Sequence, residues 1–209
     1  FRYFLLREVP WEGDGNFGWE RFEERYVADL ADGLGNLVSR SLAMVVKYRD
    51  GVAPGRLDAW TPGRRDAGTP RHLDVDPLDV AGRETMARYE AALDAMDLRG
   101  AAELAWGLVT RANQYIVERA PWALAKAGSD AALDDVLGAL TRTLARLTAM
   151  ILPFMPGKAE ELWSLLGAPQ PLQELAWSEA ASPAVGGWKV RKPDGLFPRP
   201  AAPDPAQAK

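Results

Sequence analysis

Six apolar residues, Leu133, Leu137, Leu140, Leu144, Leu147 and Ile151, recur four and three residues apart in turn. That alternation lays a narrow apolar seam along one helix, opening near Ser129, and obliges it to pack against other helices. The rest of the chain supplies partners. Residues 20–48 carry Phe22, Tyr26, Leu30, Leu34, Leu37, Leu42 and Val45 mostly three to five apart without a proline, which predicts one amphipathic helix of about 43 Å at 1.5 Å per residue. Gly33 and Gly35 lie inside it, each costing about 1 kcal/mol against alanine, so close backbone approach by a neighbour is expected there. Pro77 suits the first position of a second helix, capped by Asp76 and running to about Met96. Asp97 reads as the N-cap of a third, striped by Leu98, Ala101, Leu104, Ala105, Leu108, Val109, Ala112, Tyr115 and Ile116 and ended by Pro121. Pro153 and Pro156 interrupt the leucine seam, and a short helix over 157–166 is closed by Gly167 as C-cap. Helices joined by short loops become antiparallel neighbours, so the fold class expected is an all-α antiparallel bundle.

Proline and glycine divide the chain. Seven of the 23 residues from Asp50 to His72 are Gly or Pro, which predicts a long exposed connection. Half of the 16 prolines lie from Pro169 onward, so the ordered mass is expected mainly upstream of Gly167, with a disordered tail AAPDPAQAK. Asp14, Gly15 and Asn16 are turn chemistry, residues 1–8 suit a short helix or strand, and GWKVRKPDGLFPRP is expected to return as an extended segment packing elsewhere.

Composition narrows the chemistry. Among 209 residues there is no cysteine and one histidine, His72, so disulfides and cysteine-ligated zinc are excluded, almost nothing is left for histidine-based metal or nucleophile-base chemistry, and a metal site would have to be built from carboxylates. No zinc spacing, phosphate loop or nucleophile elbow occurs, and neither a metal site nor a catalytic residue is expected. No apolar run approaches a membrane span, and the start FRYFLLREVP has no leader pattern and no initiator methionine. A cytoplasmic protein is expected, and a segment of a longer polypeptide. The formal net charge is −4, without the basic footprint of an indiscriminate nucleic-acid binder, though reading bases by shape and stacking does not demand one.

Two features carry recognition chemistry. Asn36 and Arg40 sit four apart and share a helix face; an amide and a guanidinium read base edges and phosphates, although a helix-to-helix hydrogen bond is their commoner use. Trp122 follows Pro121 in the turn between the third and fourth helices, where a tryptophan supplies a stacking platform for an unpaired base; a core anchor is its commoner role. The carboxylate pairs Glu23-Glu24, Asp134-Asp135 and Glu160-Glu161 occupy adjacent helical positions, diverge, and are expected to be solvated. Lys126 and His72 are expected to be exposed.

RYFLLREVPWEGDGNF, RYVADLADGLGNLVSR, ANQYIVERAPWALAK, ILPFMPGKAEELWSLLG and KVRKPDGLFPR, in this order, resemble the C-terminal half of bacterial methionyl-tRNA synthetases, members of the class I aminoacyl-tRNA synthetase family. GNLVSR and PWALAK are the specific parts. The resemblance implies that residues 1–19 are a remnant of the stem-contact region. It makes 20–167 an α-helical anticodon-binding domain with its long connection at 50–72, and 168–209 a proline-rich extension and tail. It implies recognition of the CAU anticodon of methionine tRNA through Asn36, Arg40 and Trp122, in an enzyme that uses ATP to attach methionine to that tRNA. The HIGH and KMSKS motifs of the catalytic domain are absent from this sequence, so the chain is expected to hold no cofactor and to be non-catalytic alone, with the missing catalytic domain as its partner. The KVRKPDGLFPR strip would fold back toward that domain. Val27, Asp32 and Val117 depart from the family pattern, the first two from asparagines and the third from an acidic residue before the PW turn. Two rivals are a helical interaction module that has lost tRNA reading and the anticodon domain of a leucine, isoleucine, valine or cysteine enzyme.

Overall fold

A computed structural model describes residues 1–8, 17–55 and 76–199. The expectations for the turn at 14–16, for His72 and for the tail AAPDPAQAK fall outside these residues.

Among the described residues the chain forms nine α-helices: α1 (Arg2–Glu8), α2 (Trp19–Arg25), α3 (Asn36–Arg49), α4 (Pro77–Asp94), α5 (Leu98–Arg119), α6 (Pro121–Lys126), α7 (Asp130–Ile151), α8 (Pro156–Leu166) and α9 (Trp177–Ala181). A π-helical stretch, Tyr26–Gly35, joins α2 to α3, and Arg25, Tyr26, Gly35 and Asn36 all keep right-handed backbone. The predicted single long helix is therefore present, with a widened middle. That widening explains the glycines. A Cβ on Gly35 would stand 2.9 Å from the carbonyl oxygen of Leu30, and one on Gly33 3.1 Å from that of Ala28, five residues back in each case. The crowding backbone is the helix's own, not that of a neighbour, which corrects the expectation; what approaches Gly35 from outside is the Phe197 side chain at 3.6 Å.

The caps follow the sequence. The Asp76 carboxylate accepts from the Leu78 N–H ahead of Pro77, and Asp97 accepts from Gly100 N–H. Gly167 closes α8 in the left-handed conformation.

Hydrogen bonds between helices give their directions. Trp106 Nε1 donates to the carbonyl of Asp29 and Asn113 Nδ2 to that of Gly33, so the π stretch and α5 advance together. Tyr115 near the end of α5 donates to Asp76 at the start of α4, which makes α4 and α5 antiparallel. Arg49 at the end of α3 binds Asp130 and Asp134 at the start of α7. Thus α3 and α5 run one way, α4 and α7 the other, as in an antiparallel bundle.

The leucine helix α7 is central, and more deeply than a seam implies: every residue from Val136 to Thr148 is buried. The narrow apolar face of the sequence becomes an all-round contact with α3, α4, α5, α6, α8 and α9. Two arginines on the far side therefore enter the core. Arg142 Nε and Nη2 and Arg146 Nη1 all donate to the Asp79 carboxylate, at 2.5 to 3.0 Å, and Arg146 Nε donates to the Ala181 carbonyl. Sequence reading did not single out these residues.

Two further corrections concern the punctuated regions. The start of the 50–72 connection is packed rather than exposed: Gly51 and Ala53 are buried, and Val52 forms an antiparallel bridge with Lys189. The residues beyond Gly167 also join the core, since Trp177 stacks on Tyr89 at 5.6 Å and Leu172, Ala180, Val190, Leu196 and Phe197 are buried. The returning extended segment is the part of this region the sequence anticipated. No helix among the described residues is long and apolar enough to cross a membrane.

Candidate nucleic-acid interface

Asn36 is the first residue of α3 and is exposed; Arg40 lies one turn on, half-buried, with no hydrogen bond or ion pair among the described residues. The two share a face, as the spacing requires. Opposite them, α5 advances in register: Asn113 Oδ1 accepts from Asn36 Nδ2 at 3.3 Å. Both helices rise 1.5 Å per residue, so Val117 comes level with Arg40 one turn further along. Val117 is 63% exposed and offers Arg40 no counter-charge.

Two residues beyond Val117, α5 ends. Ala120 takes a left-handed conformation, φ 41°, its N–H bonded to the Ile116 carbonyl, and the chain turns sharply. Pro121 then starts α6, whose missing N–H costs nothing at a first helical position. The expected turn is thus a short helix. Pro121 is buried and Leu124 and Ala125 pack on the core, leaving the opposite face to Trp122, 47% exposed. Proline and the left-handed residue before it fix where this indole projects. The surroundings are mixed in charge: Arg119 lies 5.8 Å from the Tyr115 ring, Arg111 pairs with Glu118, and Lys126 is exposed as expected.

Asn36 and Arg40 therefore stand together on α3, beside the last turns of α5, and Trp122 projects from α6 just after those turns. Asn113 had no place among the sequence candidates. Its only sequence signal is a poor helix former in the interior of a long helix, where such a residue usually has a partner.

The other sequence candidates resolve differently. Asp134, expected to be solvated, is 14% exposed and binds Arg49 Nε at 2.5 Å. Glu160 accepts from Gln173 and Glu161 from Lys158, both at the surface, while Glu23 and Glu24 are exposed. Of the family departures, Asp32 pairs with Arg199 at 2.6 Å and Val27 is half-buried. A cavity of about 240 Å³ adjoins this pair, lined by Asp32, Asn36, Ser39, Phe197 and Arg199 among others.

Residues 77–202 match the family model described as the anticodon binding domain of methionyl tRNA ligase, and residues 1–42 match that of the class I tRNA synthetases for methionine. The chain is 37% identical over 202 residues to the methionine–tRNA ligase of Bacillus subtilis (strain 168), covering 95% of itself and 28% of that protein. It is 36% identical over 200 residues to that of Caldanaerobacter subterraneus subsp. tengcongensis, with 95% and 29% covered. It thus spans less than a third of the length of these relatives. Among solved structures, the apo form of Mycobacterium tuberculosis methionyl-tRNA synthetase superposes with a TM-score of 0.80 at 31% identity, over 97% of this chain and 39% of that one. The same synthetase in complex with methionyl-adenylate gives 0.79 at 32% identity, over 95% and 37%. The helical bundle built around α7, with Asn36 and Arg40 on α3 and its PW helix after α5, belongs to the family of the anticodon-binding domain of methionyl-tRNA ligase.

Proposed function

We propose that this chain recognises the anticodon loop of methionine tRNA, reading CAU, as the anticodon-binding part of a methionine–tRNA ligase. The observation that carries the reading is the placement of the exposed Asn36 and half-buried Arg40 on α3, beside the last turns of α5, with the 47% exposed Trp122 on the short α6 that follows those turns. Bases in a loop are unpaired and can be splayed out, so an indole plane takes a base face while an amide meets its edge and a guanidinium takes an edge or a neighbouring phosphate. Such a surface works without a basic domain, in keeping with the net charge of −4.

In the whole ligase, ATP and methionine would be handled by the catalytic domain, which is the partner of this bundle. The part played here is positional. Binding free energy gained at the anticodon holds the acceptor end of the right tRNA at the distant catalytic site and raises the efficiency of transfer for that tRNA.

Equilibrium binding to a methionine tRNA anticodon stem-loop tests this, beside the same hairpin with its first anticodon cytosine replaced by uracil. The base change and Trp122→Ala should each weaken binding by about 1 to 3 kcal/mol. Equal affinity for both hairpins, or none for either, overturns the reading.

A further inference from the structure

We propose that Asn113 is a positioning residue that sets the hydrogen-bonding polarity with which Asn36 meets an RNA base. The proposal rests on the anticodon reading above and adds to it a reason for preferring one class of base. The Asn113 Nδ2 atom lies 3.2 Å from the carbonyl oxygen of Gly33 and 3.2 Å from that of Val109. A backbone carbonyl only accepts, so both N–H groups of this amide are committed to these two oxygens. A carbonyl has two lone pairs, so Gly33 can take the Asn113 proton beside the bond it makes within its own helix.

The other end of the Asn113 amide is thereby turned toward α3. Its Oδ1, which only accepts, faces Asn36 Nδ2 at 3.3 Å. Asn36 must therefore point its amino group inward, and its own Oδ1 is left on the exposed side. Two main-chain carbonyls fix one amide, and that amide fixes a second. Neither orientation depends on the RNA.

An outward amide oxygen accepts from an exocyclic amine and repels a carbonyl. Asn36 held in this way suits a base whose exposed edge carries an amino group, as the N4 amine of cytosine does, and disfavours uracil, which has O4 at that position. Rotated by half a turn, the same side chain would favour the reverse. With Asn113 removed, Asn36 samples both orientations and follows whichever base arrives, so affinity persists while preference fades.

The test uses the full chain, the cytosine and uracil hairpins, thermal melting, and the variants Asn113→Ala, Asn113→Asp and Asn36→Ala. In Asn113→Ala the ratio of cytosine to uracil affinity should fall about tenfold while the melting temperature stays near that of the parent, since alanine suits a helix. In Asn113→Asp the carboxylate cannot donate to Gly33 and Val109, so the melting temperature falls. Both its oxygens still accept from Asn36, so the ratio is kept while the added negative charge weakens both hairpins alike. A residue that only held α5 to the π stretch would move stability and both affinities together and leave the ratio alone. A ratio unchanged in Asn113→Ala but lost in Asn36→Ala overturns the positioning role and leaves the anticodon reading standing. A parent chain with no preference overturns the reading and the proposal with it. The Asn36 side-chain amide resonances of the free protein give a check without RNA: slow proton exchange that becomes fast in Asn113→Ala is expected, and fast exchange in the parent overturns the proposal.

Discussion

Two regions of this bundle use arginine in opposite ways. Between α4 and α7, Arg142 and Arg146 are buried against Asp79, and their donors go to its carboxylate and to the Ala181 carbonyl. On α3, Arg40 is half-buried and carries no hydrogen bond or ion pair among the described residues. The first arrangement is closed: its hydrogen bonds tie α4 to α7 and α7 to the end of α9, and it is the kind of polar cluster that fixes helices in one register. The second is open, its donors bonded to nothing among the described residues. Tryptophan divides in the same way. Trp163 is 5% exposed and donates to the Gln170 carbonyl, whereas Trp122 is 47% exposed. Residue type alone does not separate folding from recognition here; burial and the tally of partners do.

The largest effect expected from breaking the closed region is that of Asp79→Ala, which leaves two guanidinium groups buried beside each other. Removing one partner of a buried ion pair costs about 3 to 5 kcal/mol, to be measured by urea denaturation. The same carboxylate gives a pH signature. Burial pushes its pKa up, but the hydrogen bonds and charge of Arg142, followed by those of Arg146, outweigh burial and hold it below the ordinary 3.8. The unfolded chain thus takes up this proton more readily than the folded one, so the contribution is complete above the ordinary value and is lost as pH falls through the lower folded value. The difference in stability between parent and Asp79→Ala should be level from neutral pH down to about 4 and shrink below it.

In the open region the expected effect lies on binding. Trp122→Ala should change folding stability by no more than about 0.5 kcal/mol while weakening the cytosine hairpin by about 1 to 3 kcal/mol. Trp163→Ala inverts the pattern, with about 3 to 5 kcal/mol lost from stability and hairpin affinity unchanged wherever the variant is folded. If Trp122→Ala lowers the melting point as Trp163→Ala does, the contrast between the two regions collapses.

The closed region was the less legible of the two. Periodicity located α4, α5, α7 and α8, and the starts of α4 and α5 and the end of α8 were readable because Pro77, Asp97 and Gly167 act within a few residues of themselves. It underestimated α7, since a four-and-three leucine pattern marks one face, whereas the burial of Arg142 and Arg146 depends on Asp79, more than sixty residues earlier. The packing of residues beyond Gly167 was hidden for a related reason: proline content signals irregular backbone, and irregular backbone can still bury Val190, Leu196 and Phe197. Asn36, Arg40 and Trp122 came forward through the resemblance of GNLVSR and PWALAK to a family, because four-residue spacing and a lone tryptophan fit many surfaces. Asn113 was missed since its partners Gly33 and Asn36 reach it only through the parallel course of two helices that a long connection separates.

The widened stretch lies between the two regimes and sharpens the boundary. Gly35→Ala would place a Cβ 2.9 Å from the Leu30 carbonyl and 3.6 Å from Phe197. Crowding of this kind costs about 1 to 3 kcal/mol, partly offset by the roughly 1 kcal/mol that alanine gains in a helix, for a net loss of about 1 kcal/mol in denaturation experiments. A gain in stability would mean that the stretch relaxes to an ordinary α-helix without penalty.

The smallest effect belongs to the Asp32–Arg199 pair, which looks like the Asp79 cluster on paper and is physically its opposite. The two side chains meet at 2.6 Å but are 45% and 73% exposed. Water screens such a pair and its side-chain entropy opposes it, so its worth is about 0 to 1 kcal/mol. The strip that carries Arg199 has firmer attachments in any case: Leu196 and Phe197 are buried, and Tyr26 donates to the Pro198 carbonyl at 2.8 Å. Asp32→Ala should therefore leave the strip in place and cost less than about 1 kcal/mol at low salt, and raising the salt to about 1 M, where the Debye length is about 3 Å, should erase even that. The loss in Asp79→Ala should survive the same salt, because the ions cannot reach a pair that solvent does not touch. A salt-resistant loss of more than about 2 kcal/mol in Asp32→Ala would place this pair with the closed cluster, since that exceeds what an exposed pair contributes.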